Sequence, residues 1–183
     1  GFSQDRVMVI HSNDRQFRRN MPTLKERLTQ LPEINRIALA DKNLGEKEYG
    51  DGVFRLKDKP QNTTENFSMI NVDEDFLATL QVKILAGRSF SEDFRSDRQG
   101  AYIINEAAMK KLGITDPEKA LGKQLVQTRL GGESQGRIVG VVENFHFQPL
   151  QLPIKPLIFT YQGQYNNHMF LKVSGNDMQQ TIP

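Results

Sequence analysis

Residues 71–94 read NVDEDFLATLQVKILAGRSFSEDF. Three acids, Asp73, Glu74 and Asp75, precede Phe76, Leu77 and Leu80, whose spacing fits one face of a short helix. Acids at a helix start complement its dipole, so Asp73 is expected to cap a helix over DEDFLATL. Residues 82–85 (VKIL) then read as a short strand ended by Ala86-Gly87. Just upstream, residues 67–72 (FSMINV) alternate as another strand. Short strands and short helices following one another in this way predict a mixed α+β fold, not one doubly wound parallel sheet through the whole chain. Gly87 allows a sharp turn. Arg88, fixed at that turn, is placed to fork onto a carboxylate such as Asp93, Asp97 or Glu106. The other reading of Arg88 is a solvated side chain; either role is structural.

Working outward, residues 102–104 read as a strand and Asn105 as the cap of a helix ending at Leu112, with Gly113 at its C′ position. Residues 124–130 and 137–147 read as two strands joined across Gly131-Gly132 by a loop longer than a tight turn. Gly140 inside the second predicts a bulge or a close backbone approach. His146 lies between Phe145 and Phe147, so in a strand it faces away from them. Toward the N-terminus, residues 6–10 and 34–40 read as strands around a helix carrying Leu24, Leu28 and Leu31. That helix starts either near Asn20, with Pro22 in its first turn, or at Ser12, with a kink at Pro22. Strand, helix, strand is a βαβ-like opening. Residues 41–66 are polar and Gly-rich, with one short strand at 53–56, and read as a boundary or crossover. Pro149, Pro153 and Pro156 form a stiff connector before strands at 157–161 and 169–173 and a helix start at 174–177. The expected central core is Phe76, Leu77, Leu80, Ile84, Ile103, Ile104, Met109, Leu112, Val139 and Val141.

The composition narrows the function. The chain has 183 residues, 37% hydrophobic and 25% charged, enough for one or two globular domains. With 24 basic and 22 acidic residues, no nucleic-acid or anionic-membrane partner is implied. Absence of cysteine excludes disulfides, Cys zinc sites and thiol catalysis. The apolar runs fall far short of the roughly 20 residues that span a bilayer. Gly122-Lys123 is followed by Gln124, and Pro117 stands where a P-loop needs its first Gly. The histidines, His11, His146 and His168, are far apart in sequence and form no metal motif. No catalytic, cofactor-binding or metal residue is therefore assigned; Arg88, Gly87, Gly113 and Gly140 are assigned structural roles. An enzyme using Asp73–Asp75 would need a buried acid of raised pKa beside a cleft. Gly1 reads as the remnant of a cleaved tag, and the chain as an excised domain.

The ordered set NVDEDFLATLQVKILAGRSFSEDF, YIINEAAMKKLG, ALGKQL, GRIVGVVENFHF and IKPLIF resembles the MacB-like periplasmic core domain of FtsX-type ABC transporter permeases, Bacteroidetes versions above all. The resemblance implies a two-lobed α+β fold. A βαβ-containing Porter-like lobe would take residues 1–44 with 157–183, and an inserted Sabre-like lobe of mixed α/β structure residues 45–156. It implies a domain held between the first two membrane helices of an inner-membrane permease and facing the periplasm. ATP would be bound by a separate cytoplasmic subunit or domain, no cofactor by this one. A dimeric full transporter and a periplasmic substrate, lipoprotein or partner would follow. A periplasmic ligand-binding or sensing module is the alternative. In the family the second βαβ half runs on through a helix and a strand; here the helix has barely begun at Ile182. Either the chain is cut before them or this member differs. A loop between membrane spans also places Phe2 and Pro183 on one side, with apolar surface near Ile182.

Overall fold

The computed structural model describes residues 7–46, 49–149, 151–161 and 167–174. The expectations for Phe2, Ile182, Pro183 and the helix beyond Ser174 lie outside the described residues.

The N-terminal unit is β1 (Val7–His11), α1 (Arg15–Leu28) and β2 (Ile34–Ala40). The α1 helix starts where Asp14 accepts a hydrogen bond from the Phe17 amide at 2.8 Å, and Pro22 lies inside it. β1 and β2 are not neighbours. β10 (His168–Val173) is inserted between them, antiparallel to both, so the expected βαβ opening is split. Side chains alternate across this three-stranded sheet. Ile37, Leu39, Met169 and Leu171 pack with Met21 under α1. Ala38, Ala40 and Phe170 face the rest of the molecule.

The second sheet holds β3 (Gly50–Leu56), β4 (Glu65–Asn71), β5 (Ile84–Gly87), β6 (Ala101–Asn105), β7 (Gln124–Arg129), β8 (Gly132–Val142) and β9 (Leu157–Thr160). Its order is β5-β8-β6-β9-β4-β3-β7, and β7 also pairs with β8. Six strands thus close into a ring, with β5 attached to the outside edge of β8. Phe54 on β3 and Tyr102 on β6 are separated by two strands, yet their ring centroids lie 5.5 Å apart, across the inside. Short helices α2 (Phe76–Thr79), α3 (Arg95–Gly100), α4 (Glu106–Lys111) and α5 (Pro117–Ala120) fill the connections. Asn105 caps α4 by accepting from the Ala108 amide at 2.8 Å.

Burial on both faces explains why β6 reads as an unbroken apolar run. Tyr102 and Ile104 join Phe54, Phe67, Leu125 and Ile158 inside the ring. Ala101 and Ile103 join Ile70, Phe76, Phe145, Phe159 and Phe170 on the other face. This second cluster contains residues of both sheets, so it is where the two sheets share a core.

Several expectations change. Leu157–Thr160, expected in the N-terminal lobe, is an interior strand of the large sheet, parallel to β4 and antiparallel to β6. The β7–β8 connection is tight, since Arg129 pairs with Gly132 and leaves only Leu130-Gly131 between. The strand expected to reach Phe147 ends at Val142; Phe145 and Phe147 are nonetheless buried and His146 half-buried. Among the expected core residues, Ile84 is exposed and Val139 and Leu112 are half-buried; the other seven are buried. Helices α3 and α5 were not anticipated.

Candidate functional site

The place where the two sheets meet is built by a few named groups. Leu39 on β2 and Asp73 exchange two hydrogen bonds: Asp73 N–H donates to the Leu39 carbonyl at 3.0 Å, and Leu39 N–H donates to Asp73 Oδ2 at 2.8 Å. Ala40 bridges Val72 in antiparallel fashion. Asp41 N–H donates to the Asn71 carbonyl at 3.0 Å, and Asn71 N–H to Asp41 Oδ1 at 2.8 Å. These pairs share one antiparallel register, so β2 is stitched to the exit of β4. Asn71 is itself the partner of Thr160 on β9.

Above the stitch, Lys25 in the last turns of α1 gathers all three acids. Its Nζ lies 2.8 Å from Asp73 Oδ2, 2.5 Å from Asp75 Oδ2 and 3.6 Å from Glu74 Oε1. The expectation that Asp73 caps α2 is corrected: Asp75 occupies that position, without a side-chain bond to the helix. Asp73 is drawn instead to Lys25 and Leu39. Below the stitch, the buried Phe76 ring packs against Phe170 of the small sheet at 5.4 Å and Phe159 of the large sheet at 6.3 Å.

The electrostatics follow from burial. Asp73 is 6% exposed. Burial pushes its carboxyl up to about 7, against the pull of Lys25 and the Leu39 amide. Burial alone would lower the Lys25 pKa, but Asp73 and Asp75 overcome it and hold the ammonium above the ordinary lysine range. Asp73 Oδ1 has no partner. A buried acid of raised pKa is thus present, as the enzyme reading required, but Lys25 closes over it. None of three surface clefts, of about 380, 430 and 300 Å³, is lined by Asp73, Glu74 or Asp75. Among the described residues no cluster of His, Asp or Glu could hold a metal.

Arg88 is held by Asp97, one of the carboxylates considered. Nη1 donates to Oδ2 at 2.6 Å and Nη2 to Oδ1 at 2.9 Å. Asp97 is 2% exposed and also accepts from the Ser91 amide at 3.2 Å. The guanidinium lies 3.9 Å from the Phe94 ring centroid, and its bonds to Asp97 raise its pKa above the ordinary value. Gly87 (φ +74°) pairs with Gly140, and a Cβ on Gly140 would lie 2.4 Å from the Arg88 carbonyl oxygen. The two glycines therefore permit a close backbone approach that any side chain would block. Gly113 (φ +76°) ends α4, where the Ile114 amide donates to the Met109 carbonyl at 3.1 Å.

Sequence reasoning missed Lys25, which lies 48 residues from Asp73 with no local pattern to link them. It also missed that His11 and His168 are cross-strand partners, because long-range register leaves no local signal.

The family model for the MacB-like periplasmic core domain matches residues 1–182. The chain belongs to this family. It is the periplasmic core domain of a MacB-like ABC transporter permease. No curated protein matches the chain. Among solved structures, the periplasmic region of MacB from Actinobacillus actinomycetemcomitans is 15% identical, with a TM-score of 0.59 over 96% of this chain and 78% of that one. A domain of a putative permease protein from Porphyromonas gingivalis is 17% identical, with a TM-score of 0.59 over 87% of this chain and 69% of that one. The extracellular domain of the noncanonic ABC-type transporter YknZ from Gram-positive bacteria is 13% identical, with a TM-score of 0.60 over 93% and 85%. At these identities the likeness is one of fold, the mixed α+β fold of the MacB periplasmic domain. Among the described residues no helix is long and apolar enough to cross a membrane.

Proposed function

We propose that the domain is a mechanical relay: it carries a movement driven by ATP hydrolysis elsewhere in the permease to a periplasmic substrate or partner. The supporting observation is the junction. A relay must pass displacement from the small sheet, which holds the first and last described strands, to the large one. The continuous register of Leu39–Asp73, Ala40–Val72 and Asp41–Asn71 does this through backbone bonds, which stretch little. Lys25 clamps α1 to the same point.

In this reading membrane helices flanking the domain anchor it to the inner membrane, and a cytoplasmic ATPase, which alone binds nucleotide, drives it. The working transporter is a dimer. The periplasmic cargo or partner, including a lipoprotein, is what the movement acts on.

The experiment uses the full permease. Lys25→Met keeps the bulk of the side chain, removes its charge and leaves Asp73 with the Leu39 amide but no cation. The expected result is ATP hydrolysis at the wild-type rate with transport or partner activation strongly reduced. Unchanged transport in a variant whose isolated domain shows a loosened junction by hydrogen exchange would refute the relay.

A further inference from the structure

We propose that His168, tilted against His11 beneath the strap of residues 41–46, is a proton-operated latch: acid charges it, and the strap lifts from the junction of the two sheets. This stands whether or not the domain relays force.

His11 ends β1 and His168 begins β10, and the two are direct cross-strand partners. Their ring centroids are 4.3 Å apart and the planes 31° from parallel. His168 is 6% exposed, and its Nδ1 has no hydrogen-bond partner. Its Nε2 lies 3.8 Å from Glu46 Oε1, too far for a hydrogen bond but close enough to attract a charged ring. Burial and the neighbouring imidazole both disfavour a charge on this ring, against the attraction of Glu46.

Among the described residues, the charged and titratable groups facing it come from β1 and the strap. β1 contributes His11, and the strap contributes Asp41, Lys42 and Glu46. β2 offers Ala40 opposite it. Burial is the main force lowering the His168 pKa, and His11 and Lys42 add to it; Glu46 and the Asp41 backbone oppose them. Burial also raises the Asp41 carboxyl above its ordinary value, against the Asn71 amide it accepts from.

The strap has something to release. Besides the Asp41–Asn71 pair, Gly45 N–H donates to the Phe147 carbonyl at 2.8 Å. The Tyr49 hydroxyl is shared between the Asn43 and Phe147 carbonyls at 2.7 and 2.6 Å. Between strap and histidines lies an open cleft of about 430 Å³, room for water to reach a charged His168.

The sign follows from the burial of His168 against a second imidazole, which favours the neutral ring in the closed form. Above the ordinary histidine value of about 6.5 both closed and open forms are neutral and the closed strap keeps its full stability. As pH falls below that value the open form takes up the proton first, and closure weakens until the closed form titrates as well.

The test is amide hydrogen exchange on the whole chain by NMR, from pH 8 to pH 5, with rates normalised for the intrinsic pH dependence. Protection of the Asp41 and Gly45 amides should fall below about pH 6.5, with a slope of up to about tenfold per pH unit, the limit for one proton. The Ile103 and Val126 amides in the large sheet should stay flat. His168→Gln should abolish the strap response, and His11→Gln, by removing the adjoining imidazole ring, should shrink it. A flat strap in the wild type, or an unchanged response in His168→Gln, overturns the latch. Should His168→Gln not fold, the wild-type His168 ring resonance decides: a midpoint below 6.5 supports the latch, and one at or above 6.5 overturns it.

Discussion

In the large sheet every strand but β5 has a neighbour on both sides, because β7 pairs with both β3 and β8. In the small sheet, among the described residues, β10 alone has two full partners, and β2 borrows its second contact from residues 71–73. The contrast extends to packing. All of β6 and β9 is buried on two faces, whereas β1 is half-exposed and α1 buries only Met21 fully. The large sheet is held by its own closure. The small sheet is held by what it leans on, so its stability is decided at the junction.

The sharpest way to break this contrast is Phe76→Ala. Phe76 is fully buried and touches a ring from each sheet. Its loss should cost about 3–5 kcal/mol in denaturant unfolding. Hydrogen exchange should show β1 and β10 losing protection before β6 does. A cost below about 1 kcal/mol, or loss beginning in β6, would mean that the small sheet does not depend on the junction.

Arg88→Lys probes the large sheet alone. A lysine cannot make the forked pair, and Asp97 would remain buried with one bond fewer from its partner. A loss of about 1.5–3 kcal/mol is expected, seen as a lower thermal midpoint. Equal midpoints would mean that the ion pair contributes nothing to the corner it occupies.

The smallest effect has the opposite sign. Gln81 is exposed and held at φ +56° where α2 ends, with the Val82 amide donating to the Leu77 carbonyl at 2.9 Å. Glycine adopts that conformation without the Cβ clash, so Gln81→Gly should gain about 0.5–1 kcal/mol in urea unfolding. A loss would show that the Gln81 side chain matters more than its backbone strain.

Local features were legible in the sequence. The Asn105 cap, Gly113 at the end of α4, the alternation of residues 67–71 and the forked Arg88 each depend on residues within about ten positions. What escaped was set by long-range register. Residues 157–160 carry no mark telling which sheet they enter, since a strand buried on both faces reads alike in either. Asp73 has the composition of a helix cap, but a buried backbone amide at Leu39 and an ammonium at Lys25 outcompete the first turn of a four-residue helix. Lys25 looked like an ordinary surface lysine because its three partners lie in another part of the chain.

The place of β9 governs how the chain must fold. Thr160 is joined to Asn71 across a separation of 89 residues, and β9 stands between β4 and β6. As the chain emerges from its N-terminus, β4 and β6 wait with open edges until residue 160 arrives, and the ring then closes around the last strand to enter. Pairings over such distances are slow to form, in the millisecond-to-second range typical of β-rich domains, and open edges invite strands from other chains meanwhile. A chain stopped before residue 157 would therefore carry two unmatched strands facing an empty slot and would aggregate, whereas one completed through β9 would shield them.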